Sequence, residues 1–152
     1  MAHLTDDADP ALIATALRAL SRDMGDPYAL PDATLARLLA DKGHTGAVLA
    51  LDGQIPVGVA LYSLFASTTR GQIGAFVTDL WVDASQRGNG LGRALLARVR
   101  DTVAARWGAT FLRLNYDADN AGAVAFYSRL GFAAKAGETW VTLEADALED
   151  LK

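Results

Sequence analysis

The chain has 152 residues, 51% apolar and 21% charged, with a formal net charge of −4 and no cysteine. That length supports one domain with its own hydrophobic core over residues 1–152. The composition excludes disulfides, thiolate metal sites and a cysteine nucleophile, and the acidity argues against a nucleic-acid-binding face. Only His3 and His44 offer imidazole, so a histidine-rich site is excluded and no metal is expected. No apolar run approaches the ~20 residues needed to cross a bilayer. The acidic start (Asp6, Asp7, Asp9) does not read as a signal peptide, and a cytoplasmic location is expected.

In chain order, Asp9-Pro10 reads as an N-cap and first helical residue. Leu12, Ile13, Ala16, Leu17 and Leu20 follow at helical spacing, with Gly25 as the stop. A second helix is expected from Pro31, through Leu35, Leu38 and Leu39, to Gly43. Thr45 to Leu51 reads as a strand, and Asp52-Gly53 as the centre of a hairpin turn whose two middle positions take positive φ. The returning strand runs from Pro56 to Phe65, and the next from Gln72 to Val82. Leu91, Leu95, Val99, Val103 and Trp107 step by four along one helical face, ended by Gly108. Phe111 to Tyr116 alternates like a strand. Asn120 is the expected N-cap of a short helix, Ala121 to Leu130, with Gly131 as left-handed cap and Phe132 packing back on it. Trp140 to Leu143 reads as a last strand. His3 is expected to be disordered and His44 to sit in a surface turn. The order predicts one α/β domain: a mixed, mostly antiparallel sheet with a central parallel strand pair and helices on both faces.

The segment Arg87-Gly88-Asn89-Gly90-Leu91-Gly92-Arg93 joins a strand to a helix. A helix start exposes unpaired N–H groups at the positive end of the dipole, which suits a phosphate. A P-loop requires a lysine that is missing here, and a dinucleotide turn requires a glycine where Arg93 stands. A plain connecting turn is the remaining alternative on these residues alone.

Arg87-x-x-Gly90-x-Gly92 resembles the acyl-CoA-binding signature of the GCN5-related N-acetyltransferase (GNAT) family. A second stretch, Asn120-x-x-Ala123-x-x-Phe126-Tyr127-x-x-x-Gly131-Phe132, resembles another motif of that family. The likeness is clearest from Ala47 to Leu143. The family's opening strand has only the short Met1 to Thr5 segment to occupy. The run Asp79-Leu80-Trp81-Val82 ahead of the loop is similar to the diamine acetyltransferase branch, but Thr78 stands where that branch often carries glutamate.

The resemblance implies acetyl-CoA as co-substrate. Its diphosphate would lie on Arg87, Gly88, Asn89, Gly90, Leu91, Gly92 and Arg93. Its pantetheine arm would run along the backbone of Leu80, Trp81 and Val82, beside a bulge that no residue of the strand announces. Asn120 has two uses open to it, helix N-cap and polar contact to the coenzyme. Tyr127 matches the family's general acid, since a phenol with pKa near 10 can protonate a leaving thiolate. Asp79 is the candidate base, directly or through water. The implied acceptor is a small-molecule or peptide amine, and the family's frequent homodimers carry over as an expectation. A non-catalytic acyl-CoA-binding or sensing domain is the rival reading, and a nucleotide-binding regulatory domain a third.

Overall fold

A computed structural model describes residues 2–148. They fall into two compact units, one ending at Asn115 and one beginning at Tyr116.

The first unit contains β1 (His3–Thr5), α1 (Pro10–Met24), α2 (Asp32–Ala40), β2 (Thr45–Asp52), β3 (Ile55–Ser67), β4 (Gln72–Val82), α3 (Leu91–Trp107) and β5 (Phe111–Leu114). Its sheet has the order β1-β2-β3-β4-β5. All neighbours are antiparallel except the pair β4–β5, which is parallel because α3 carries the chain back across the sheet.

Local chemistry sets the helix ends. The Asp9 side chain accepts from Ala11 N at 2.9 Å, and Pro10 occupies the first turn, where a missing N–H costs nothing. Gly25 closes α1 and Gly108 closes α3, both in the left-handed region.

Both sheet faces are covered. Ile13, Ala16 and Leu17 of α1 and Leu35 of α2 pack with Ala47, Leu49, Val59 and Trp81. On the opposite face, α3 buries Leu95, Leu96, Val99 and Val103. The Leu95 side chain lies against Gly58, where an added Cβ would come within 3.1 Å of it. Each such aliphatic side chain, fully removed from water, stabilises the fold by about 1.5–3 kcal/mol.

Three expectations need correction. The opening strand exists: β1 pairs His3 with Leu51 and Thr5 with Leu49, so His3 is ordered. Three residues are too few to show a period, and backbone pairing to β2 decides the matter. The hairpin between β2 and β3 is centred on Gly53 and Gln54, since Asp52 and Ile55 form the closing pair. Gly53 has φ +63° and, among the described residues, no non-glycine residue has positive φ, so only the first middle position needs the left-handed region. Residues 140–143 form no strand. Trp140 and Val141 are 67% and 88% exposed, and an apolar run this short extends a sheet only when a neighbouring edge satisfies its backbone.

In the second unit, α4 (Ala121–Arg129) is capped by Asn120, whose Oδ1 accepts from Ala123 N at 3.0 Å. Gly131 turns the chain at φ +89°, and Phe132 N then donates to Tyr127 O at 3.0 Å. A short helix, α5 (Ala145–Leu148), follows.

Candidate active site

The site begins with a defect in β4. Leu61 pairs with Asp79 and Tyr62 with Val77, so Thr78 is an extra residue in the ladder. Such a bulge reverses the side-chain alternation beyond it. Asp79 and Trp81 therefore share the face of Phe76, under α1 and α2, while Leu80 and Val82 share the face of Val77. The Thr78 hydroxyl donates to Leu61 O at 3.3 Å across the bulge.

The same defect marks where β4 loses a neighbour. β5 pairs with Gly74 to Val77 and stops. From Thr78 to Val82, β4 is bonded to β3 but not to β5, which leaves a short edge that no strand among the described residues pairs. Because Asp83 N bonds Val57 O, the alternation of an antiparallel ladder turns the main-chain groups of Trp81 to β3 and those of Leu80 and Val82 to this edge.

The edge leads into the glycine loop. Asp83 caps a single 3-10 turn (Ala84–Gln86) by accepting from Ser85 N at 2.9 Å and from Ser85 Oγ at 2.6 Å. Those two bonds hold the Asp83 carboxyl below its usual range. Gly88 and Gly90 then adopt φ +80° and +81°. A Cβ at either would meet nothing within 4 Å, so both positions face open space, and their need for glycine is conformational. The first intrahelical bond of α3 runs from Ala94 N to Gly90 O at 3.0 Å, and no side chain caps the helix. The N–H groups of Leu91, Gly92 and Arg93 accordingly point out of the helix end. Asn89 and Arg93 are exposed beside them.

Arg87 is more constrained than the sequence suggests. Its Nε donates to Val82 O at 2.9 Å, and its Nη2 donates to Asp23 Oδ2 at 2.6 Å. That same oxygen accepts from the Trp81 indole at 3.0 Å. Trp81 is only 6% exposed, so Asp23 satisfies a donor that would otherwise be buried without a partner. Nothing in the spacing of Asp23 foretold this.

A second residue missed in the sequence is Tyr28, in the segment joining α1 and α2. Its hydroxyl is buried and, among the described residues, has no hydrogen-bond partner. Burial raises its pKa first; Arg18 opposes the rise, while Asp32 and Asp79 add to it. Asp79 thus lies within electrostatic reach of an unsatisfied phenol on the α1–α2 face.

In the second unit, Tyr127 sits in an aromatic cluster. Its ring stacks on Tyr116 at 5.4 Å and meets Phe126 and Phe132 edge-on at 5.1 and 5.6 Å. Burial pushes its phenol above the ordinary value of 10.0. Asn120 serves as helix cap through Oδ1, and its amide hydrogens are not used in that bond.

These features define a class: an α/β fold whose bulged strand runs into a glycine-rich helix start, as in the acyltransferases. The chain belongs to the acetyltransferase (GNAT) family, whose model matches residues 13–132. No curated protein matches the sequence. Among solved structures, the chain is similar to an aminoglycoside acetyltransferase from an uncultured soil metagenomic sample, at 22% identity and TM-score 0.78 over 95% of this chain and 98% of that one. A second aminoglycoside acetyltransferase from such a sample, in complex with sisomicin, gives 16% identity and TM-score 0.79 over 95% and 96%. The ribosomal-protein-alanine N-acetyltransferase from Brucella melitensis biovar Abortus 2308 gives 20% identity and TM-score 0.73 over 94% and 99%. At these identities the likeness is one of fold.

Proposed function

We propose that the protein is an N-acetyltransferase that moves an acetyl group from acetyl-CoA to a primary amine by direct attack within a ternary complex. The observation that carries this reading is the continuity of two backbone features. The edge of β4 that β5 does not pair is joined, through the turn at Asp83 and the glycine loop, to the start of α3, which no side chain caps. An extended arm ending in a diphosphate fits that geometry: strand-like groups for the arm, then N–H donors at a helix dipole for the phosphates.

Acetyl-CoA supplies an activated thioester; the protein supplies position and proton handling. Leu91, Gly92 and Arg93 offer backbone N–H groups to the diphosphate, with Arg87, Gly88, Asn89 and Gly90 forming the wall of the cradle. Leu80 and Val82, on either side of Trp81, offer main-chain groups to the arm. An N–H of this edge polarises the thioester carbonyl. Asp79 accepts the proton of the incoming ammonium, which at pH 7 is about 99.9% protonated for an amine of pKa ~10.4. Tyr127 donates to the departing thiolate from a phenol that is protonated at neutral pH. No cysteine exists to form an acyl-enzyme, and no serine occupies a nucleophile elbow.

The acceptor is an amine on a small molecule or peptide. The diamine-like branch gains no support from Thr78, whose hydroxyl is turned to Leu61 O. Asp79 is left as the carboxylate of that pair to meet a cation.

Two measurements test the proposal in sequence. Calorimetry should show acetyl-CoA binding to the purified protein. Thiol release from acetyl-CoA over a panel of amines should then show turnover, which Tyr127→Phe lowers while leaving coenzyme affinity unchanged. A protein that binds the coenzyme and releases no thiol with any amine is a sensing domain instead.

A further inference from the structure

Within that reading, on which this inference rests, we propose that Asp23 is a positioning residue for the coenzyme's diphosphate. It holds the Arg87 guanidinium in place at the mouth of the glycine loop. Asp23 lies in the last turn of α1, 64 positions before Arg87 in sequence.

The location of Asp23 is unfavourable for a carboxylate taken alone. The last turn of a helix is the negative end of its dipole. Two donors compensate, and both come from the approach to the loop: Trp81 Nε1 at 3.0 Å and Arg87 Nη2 at 2.6 Å, on the single oxygen Oδ2. Trp81 is buried and fixes where that oxygen stands. The oxygen in turn fixes one edge of the guanidinium. Val82 O fixes Nε at 2.9 Å. A planar guanidinium tied at two N–H groups has no freedom to swing, and three of its five N–H groups are left over. The Arg87 side chain remains 55% exposed, so those groups are accessible to an anion.

Asp23 acts on phosphate binding in two opposite ways. Its charge offsets that of Arg87, which weakens attraction. Its bond freezes the fork in advance, which removes an ordering cost from binding. The carboxylate is 42% exposed, so solvent and salt screen the first effect, whereas the second does not depend on screening. Ordering therefore dominates, and removing Asp23 should weaken the site although it removes a negative charge.

Calorimetric titration with coenzyme A reads this directly. Asp23→Ala should weaken binding by about tenfold, the loss expected for a charge-assisted contact. Asp23→Asn keeps an acceptor oxygen for Trp81 and Arg87 and should restore most of the affinity. Arg87→Ala should weaken binding as well, and the double variant Asp23→Ala/Arg87→Ala should be no worse than Arg87→Ala alone. Unchanged or tighter binding by Asp23→Ala, or additive losses in the double variant, would overturn the proposal. If Asp23→Ala does not fold, Asp23→Glu replaces it. That change keeps the charge and moves the oxygen by one methylene, so weakened binding supports positioning and unchanged binding refutes it. Failure of the unsubstituted protein to bind coenzyme A would refute the functional reading itself, whereas normal binding with an indifferent Asp23 refutes only this assignment.

Discussion

Leu61 and Asp79 face each other across β3 and β4, yet their neighbours Tyr62 and Val77 do so as well, and Thr78 is the surplus residue between them. That one residue turns Asp79 from the α3 face to the α1–α2 face. It is held by its own hydroxyl, which bonds to Leu61 O at 3.3 Å. Thr78→Ala should lower stability by about 0.5–1.5 kcal/mol, the usual net worth of such a bond. Urea denaturation measures it. Asp79→Asn should leave stability nearly unchanged and lower amine-dependent thiol release by about a hundredfold or more, as loss of a general base does. Equal rates for the two proteins would remove Asp79 from the chemistry.

Gly90 and Gly108 sit at opposite ends of α3 with nearly the same geometry, φ +81° and +68°. Alanine at either should destabilise by about 1–2 kcal/mol, because both need the left-handed region. Only Gly90→Ala should also weaken coenzyme binding, since only that end carries the outward N–H groups. Parallel thermal melts and calorimetry separate the two effects, with Gly108→Ala as the internal control.

Burial pushes the phenols of Tyr62 and Tyr127 above their ordinary value of 10.0; at Tyr62 Asp6 adds to the rise and Arg106 opposes it. Above pH 10 the unfolded chain loses these protons while the folded chain keeps them, so folding is penalised as pH rises. Below that value both states are protonated and the contribution is fully present. Thermal midpoints should therefore be flat from about pH 8 and fall as pH climbs through 10 toward the folded-state values. Tyr62→Phe should flatten that fall, and an unaltered slope would count against the assignment.

An alanine Cβ at Gly46 would stand 2.4 Å from Tyr62 Oη and 2.6 Å from Tyr62 Cζ. Tyr62 is 2% exposed and has little room to retreat. Gly46→Ala should cost about 1–3 kcal/mol through overpacking, measurable by denaturant titration. Gly53→Ala, by comparison, meets no atom within 4 Å and should be penalised only for its positive φ.

Much of the architecture was legible because its causes are local. Asp9, Pro10 and Gly25 bound α1 through backbone bonds to near neighbours. The four-residue step of Leu95, Val99 and Val103 reports a single buried stripe. The motif from Asn120 to Phe132 carried the cap and the left-handed turn that the structure contains. Trp140 to Leu143 looked like a strand for equally local reasons and is not one, since a strand exists only beside another.

The sequence by itself determined α1, α3 and α4, their caps and the glycine-rich start of α3, because hydrogen bonds within a few residues enforce them; it placed the end of α2 at Gly43, where the helix stops at Ala40, and carried no sign of α5. Tertiary structure decided the bulge at Thr78, the face on which Asp79 emerges, the open edge of β4 and the capture of Arg87 by Asp23. Each of these is a pairing, or a failure to pair, between segments far apart in the chain. No spacing rule along one strand encodes which residue its neighbour will leave over, or which distant carboxylate will meet a given arginine.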